Sequence, residues 1–343
     1  MRRYGAPALA AIVLVALSVS SPRLAASRAQ SEPQTWQVQA GGDVVEEGIQ
    51  THAYYPRAFT IRAGDTVEWR FAGLTSITFA PYRSLFENFI PGPEPGDLTL
   101  GPLFFPSGPT EPNPVYDGSG LANSGLPLAP LDEVPPYRLI FVRPGLYTYF
   151  DVIHPGTFGM VQVLPADAPL VETPAQAAAR GQGELALILA DIRAQIGGYR
   201  PVQQPGPGGS TIQVAAAAIS SGLGAGANRY LPAALTVRRG DTIVWTNGDD
   251  YAPHTITFTS GGPLPPFVEA RLQPSGPPLF VAPGVALGPS GGTVYTGSGF
   301  LSSGLVPYGN SFAVTFDAPP GTYEFACVLH TAFNQRGTVT VTE

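Results

Sequence analysis

The stretch Leu231-Pro-Ala-Ala-Leu-Thr-Val-Arg-Arg-Gly-Asp-Thr-Ile-Val-Trp245 decides the fold, because the chain carries it twice. Its earlier copy, Tyr55-Pro-Arg-Ala-Phe-Thr-Ile-Arg-Ala-Gly-Asp-Thr-Val-Glu-Trp69, lies 176 positions upstream. Two further matches follow in the same order. Tyr116-Asp-Gly-Ser-Gly120 matches Tyr295-Thr-Gly-Ser-Gly299, and Pro144-Gly-Leu-Tyr-Thr-Tyr149 matches Pro320-Gly-Thr-Tyr-Glu-Phe325. Ordered matches at a nearly constant offset mark a tandem duplication, and two copies of this size make two domains rather than a solenoid. In each copy an alternating strand (Phe59/Ile61, Leu235/Val237) runs through a Gly-Asp turn into a second strand that ends on Trp. His254-Thr-Ile-Thr-Phe-Thr259, Phe312-Ala-Val-Thr-Phe316 and Thr338-Val-Thr-Val-Thr342 alternate strictly as well. The expected fold class is all-β: two tandem Greek-key β-sandwiches joined by a short helix and a Pro/Gly-rich linker.

Composition agrees with strands linked by long turns. Of 343 residues, 41 are Gly and 38 are Pro, while hydrophobic residues make up 44%, enough to fill real cores. Charged residues are 13%, about half the usual share of roughly 25%. A formal charge of −7 and the absence of any Lys/Arg cluster exclude nucleic-acid binding as an expected function. Residues 1–29 read as a secretory signal or N-terminal anchor. Arg2 and Arg3 precede an apolar run from Ala6 to Val19 that is short for a membrane span, and small residues Ala25-Ala26-Ser27 lead to a cleavage point before Gln30. The expected location is therefore periplasmic, extracellular or at the cell surface, with membrane contact only through an uncleaved N-terminal segment. The first sandwich is expected over 33–165, helix and linker over 166–210, and the second sandwich over 211–343. Leu185, Leu187, Ile188, Leu189, Ile192 and Ile196 form a helical stripe that Gly197-Gly198 stops, as expected of a helix packed between domains. The Pro/Gly-rich stretches from Pro81 to Pro114 and from Gly261 to Gly292 are expected to be loops covering one end of each sandwich.

Cys327 is the only cysteine. An exported chain with one cysteine has no internal disulfide, so either burial or a bound metal protects the thiol. Side chains two apart on a strand share a face. His254 therefore faces the core with Ile256 and Phe258, and Cys327 faces it with Tyr323 and Phe325. His330 follows three residues later and Gln335 lies in the turn before the last strand. Two imidazoles and a thiolate at one end of a sandwich make a trigonal donor set that suits copper, while zinc structural sites need a fourth firm ligand.

The segment Pro320-Gly-Thr-Tyr-Glu-Phe-Ala-Cys327-Val-Leu-His330-Thr-Ala-Phe-Asn-Gln335, with Pro253-His254 upstream, resembles the cupredoxins, the family of plastocyanin and pseudoazurin. Their copper loop reads Cys-x-x-His-x-x-x-x-Met after a Pro-Gly-x-Tyr-x-Phe/Tyr strand. The resemblance implies one type 1 (blue) copper per chain, held by His254, Cys327 and His330, with Gln335 in the axial position where the family usually has Met. It also implies a one-electron carrier with a redox protein partner, and His330 at the domain surface as the exit route.

The first copy departs from the pattern. Thr75 stands where His254 does and Asp151 where Cys327 does, while His154 keeps the place of His330. Without a thiolate this domain is expected to hold no type 1 copper and to be structural or partner-binding. Asp151 hydrogen-bonded to His154 is expected as a polar relic, and His52, opposite Asn228, reads as a loop position. A copper enzyme is not expected. The chain has four His in all, too few for a multicopper oxidase, and Ala326 and Val328 flank Cys327 where such enzymes and two-domain nitrite reductases place His. The competing expectation is a non-redox module for copper binding or for a surface partner.

Overall fold

The structure, a computed structural model, describes residues 32–80, 85–154, 156–217, 224–275 and 278–343. The export signal read over 1–29 lies outside them. No helix among the described residues is long and apolar enough to cross a membrane.

Each repeat folds into two packed five-stranded sheets. In the first, one sheet runs in the order Tyr54–Tyr55, Thr35–Ala40, Thr66–Phe71, Tyr137–Phe141, Val115–Tyr116. The other runs Ala122–Asn123, Thr78–Phe79, Gly145–Phe150, Phe158–Leu164, Ala58–Arg62. The second repeat reproduces this second sheet strand for strand: Leu301–Ser302, Thr257–Phe258, Gly321–Ala326, Arg336–Thr342, Ala234–Arg238. The alternating residues of the repeat motif explain the layers. Val67, Trp69, Phe59 and Ile61 turn into one core, and Ile243, Trp245, Leu235 and Val237 into the other. Trp69 and Trp245 are both fully buried, each ringed by aromatic side chains. The turn between the strands is held by its aspartate. Asp65 accepts from the backbone N–H groups of Arg62 and Gln34, and Asp241 from those of Arg238 and Ser210.

Between the domains, the helix Pro174–Gly198 begins with a capping box in which Thr173 and Gln176 satisfy each other's backbone N–H, with Pro at the first position. Its Ile188 and Ile192 pack with Ile49, Ala53 and Tyr55 of the first domain and Ala225 and Ala227 of the second. There the two repeats pair directly. Ile49–Thr51 runs antiparallel to Ala225–Ala227 with Gln50 opposite Gly226, so equivalent positions of the repeat face each other across a local pseudo-twofold axis.

Two expectations need correction. The proline-rich stretches are not only covering loops. Phe89–Pro91 and Leu98–Leu100 from the first, and Glu269–Arg271 and Leu279–Ala282 from the second, form a four-stranded sheet in which each domain supplies one hairpin. Proline is tolerated because it falls at strand ends and edges, where its missing N–H costs no ladder bond. The linker, too, contains a strand: Val202–Gln204 pairs with Thr211–Ala217 as the edge of the second domain's other sheet.

The helix seats closely on the first domain at Gly181, where an added β-carbon would lie 2.5 Å from the backbone nitrogen of Pro56. Gly181→Ala is expected to destabilise the chain by about 1–3 kcal/mol. Gly183→Ala, with open space at its β-carbon, should be neutral or stabilising by up to about 1 kcal/mol. Chemical unfolding of the two variants side by side checks both signs.

Candidate metal centre

Two neighbouring strand ends build the site. Cys327 follows the strand Gly321–Ala326 directly, and His254 precedes Thr257–Phe258, which pairs with it. His254 is fixed by a backbone bridge to Val306 in both directions. Cys327 donates its own N–H to the Gln335 carbonyl at 3.0 Å, closing the loop that carries His330. Asn334 has φ +52°, the left-handed turn that returns the chain to the last strand. All four side chains are buried: His254 and Cys327 fully, Gln335 at 1% and His330 at 8% exposure.

The donor atoms of His254, Cys327 and His330 lie within 4.8 Å of one another, and this is the one such group of three among the described residues. The Cys327 sulfur accepts from the backbone N–H of Thr255 at 3.3 Å and stands 3.5 Å from His330 Nδ1. Gln335 belongs to the same constellation. Its Oε1 is 3.0 Å from His254 Nδ1, while its Nε2 donates to the Ala216 carbonyl at 2.6 Å, which orients the amide oxygen toward the cluster. On the far side of the ring, His254 Nε2 lies 3.3 Å from Asp249 Oδ2.

Electrostatics follow from burial and contact. Burial alone would raise the Cys327 thiol, but the charges and hydrogen bonds of His330 and His254 outweigh it and hold the thiol well below its ordinary range. Burial likewise would depress His254, yet its contacts with Asp249 and the Cys327 thiolate push it up from 6.5 to about 10. Burial also opposes the Asp249 anion, but hydrogen bonding and charge from His254 bring it down to about 2. These contacts favour a thiolate at Cys327 beside a protonated His254. A dry pocket with one soft anion and two borderline nitrogens fits copper by donor chemistry.

The Thr face of the His254 strand is covered as well. Thr255 and Thr257 are buried under the 302–304 segment, with Thr257 Oγ1 3.1 Å from Ser302 Oγ and Ser303 Oγ accepting from the Ile256 N–H. His330 is not a surface residue, being covered to 8% exposure, and the turn after it, Thr331–Phe333, packs against the turn Val45–Glu47 of the first domain. His52 is not on a free loop. It follows the interdomain strand, 1% exposed, with its ring 4.0 Å from that of His154 and 4.9 Å from that of Tyr251 in the second domain. Sequence reasoning missed Asp249, because Asn-Gly-Asp-Asp reads as an ordinary turn. Its one signal was a carboxylate five residues before a core-facing histidine.

In the first domain the equivalent end is closed by protons. Asp151 accepts from Thr75 Oγ1 at 2.7 Å, from the Ser76 N–H at 3.1 Å and from the Ile153 N–H at 3.2 Å, and it lies 2.5 Å from His154 Nδ1. The Ser76 N–H aims at this carboxylate as the Thr255 N–H aims at the Cys327 sulfur.

Because contact with Asp249 and the Cys327 thiolate pushes His254 up to about 10, a metal that binds it at lower pH must displace a proton. Cu(II) affinity is therefore expected to rise about tenfold per pH unit between pH 7 and 9. Chelator competition at several pH values measures the slope, and a flat profile would contradict the ion-pair description.

Residues 217–342 match the family described as copper binding proteins, plastocyanin/azurin. No curated protein matches the chain. Among solved structures, a Cu(I) form of a mutant amicyanin is 21% identical over 38% of this chain and 80% of its own, at a TM-score of 0.22. A reduced form of another mutant amicyanin is 21% identical over 42% and 92%, at a TM-score of 0.23. Scores this low carry no weight for function. Residues 217–342 are thus similar to the copper-binding plastocyanin/azurin family, the cupredoxins, and His254, Cys327 and His330 within them form a potential metal-ligand group.

Proposed function

We propose that the chain is an exported one-electron carrier in which His254, Cys327, His330 and Gln335 of the second domain would hold a single type 1 copper. The observation that carries this reading is the convergence of a fully buried thiolate and two buried imidazoles whose donor atoms lie within 4.8 Å. Bound there, copper would supply a Cu(II)/Cu(I) couple, one electron per cycle. The protein's part is to hold the donors still. The Thr255 N–H fixes the sulfur, the Ala216 carbonyl fixes the Gln335 amide, and the backbone bridge to Val306 fixes His254. Burial of all four side chains shields the donors from water, which would keep reorganisation small.

The reading extends to a carrier rather than an enzyme, to donor and acceptor proteins as partners, and to a periplasmic or cell-surface location set by residues 1–29. One observation favours the competing module in which copper exchanges no electrons: the first domain packs over the His330 turn. Voltammetry separates the two. A reversible one-electron wave supports the carrier, and a site that small donors cannot reduce supports the alternative. Replacing the harder amide oxygen with a thioether favours Cu(I). Gln335→Met is therefore expected to raise the midpoint potential, and an unchanged or lower potential would remove Gln335 from the ligand set.

A further inference from the structure

The second domain buries a carboxylate that the four ligands leave unexplained. Asp249 is fully buried, and among the described residues its one ion-pair distance is to His254. Its Oδ1 accepts from the Tyr251 N–H at 2.9 Å, and its own N–H donates to Asn247 Oδ1 at 2.8 Å. A buried carboxylate without strong partners is costly.

We infer that Asp249 is the positioning residue of the copper centre, and that the first domain holds it in place. The inference rests on the reading of His254 as a ligand. Asp249 Oδ2, at 3.3 Å, accepts the hydrogen bond of His254 Nε2–H, which leaves Nδ1, on the Gln335 side, as the nitrogen a metal would take in place of a proton. An anion on the far ring nitrogen makes the donor nitrogen more basic. That strengthens Cu(II) more than Cu(I), so Asp249 lowers the potential while it tightens binding.

The first domain enters through two contacts. A β-carbon on Gly226 would lie 2.5 Å from Asp249 Oδ2, so the carboxylate lies directly against the strand Ala225–Ala227. Gly226 is paired with Gln50 of the first domain. Tyr251, whose N–H holds the other carboxyl oxygen, stacks its ring on His52 of the first domain at 29°. Both walls around Asp249 are thus braced from across the interface. The N-terminal repeat lacks the pair altogether. Thr75 replaces the imidazole, and the corresponding stretch from Arg70 to Gly73 contains no acidic residue. Loss of the copper ligand there goes with loss of its carboxylate.

The test uses the full chain and two variants that perturb the contact differently. Asp249→Asn removes the charge and keeps the shape. Gly226→Ala keeps the charge and displaces it. Both should retain the thiolate–copper absorption, with Cu(II) affinity lowered about ten- to a hundredfold in Asp249→Asn and the midpoint potential raised in each. Wild-type affinity and potential in both variants would overturn the inference. If Asp249→Asn does not fold, Gly226→Ala alone decides by the same criterion. Absence of the absorption in the wild-type chain would instead defeat the ligand assignment.

Discussion

A thiolate held inside a hydrocarbon-rich sandwich is the constraint on which the second domain is built. The sulfur of Cys327 has no access to water, and its core neighbours include Ile256, Phe258 and Phe325. Such an anion persists only if fixed dipoles and positive charge surround it. The Thr255 N–H, the two imidazoles and the strand pairing that brings them together supply those. The hydroxyl of Thr255 in turn accepts from the Val328 N–H at 3.0 Å, so the residue that steadies the sulfur also steadies the loop leaving it. Copper is the natural completion of that donor set, because it neutralises the thiolate without needing solvent.

The first domain shows the same scaffold solving a different problem. With Asp151 in the cysteine's place the buried group is a carboxyl, and carboxyl oxygens are satisfied by hydrogen-bond donors. Thr75, Ser76, Ile153 and His154 provide them at 2.5–3.2 Å. A carboxylate already saturated in this way has little left to offer a metal. What the domain does retain is its position. It pairs with the second domain around a pseudo-twofold axis, shares a sheet with it, and covers the His330 end of the copper site. A repeat with a carboxyl in place of the thiol can still set the environment of the other repeat's donor set.

The fold class and the donor set were legible because they rest on local patterns. The Gly-Asp turn before Trp245, the alternation from His254 to Thr259 and the spacing from Cys327 to Gln335 each express one strand or one turn. The helix packed between the domains was legible as well, but most other contacts between them escaped. His52 is the loop residue it reads as, but one buried against Tyr251 of the second domain, and His330, read at its domain's surface, has the turn Val45–Glu47 packed on the loop beside it. Leu98–Leu100 and Leu279–Ala282 look like proline-rich coil because the strand each pairs with outside its own hairpin comes from the other domain. Asp249 was invisible for a related reason: a turn aspartate and a buried one are the same letter, and only the packing of Gly226 tells them apart.

The central claim is that Cys327 thiolate binds copper in a single blue site. The visible spectrum of the Cu(II)-loaded chain beside its Cys327→Ala variant tests it most directly. The account predicts an intense thiolate-to-copper band at one copper per chain that is absent from the variant. A colourless wild-type chain, or a band that survives loss of the cysteine, would contradict it.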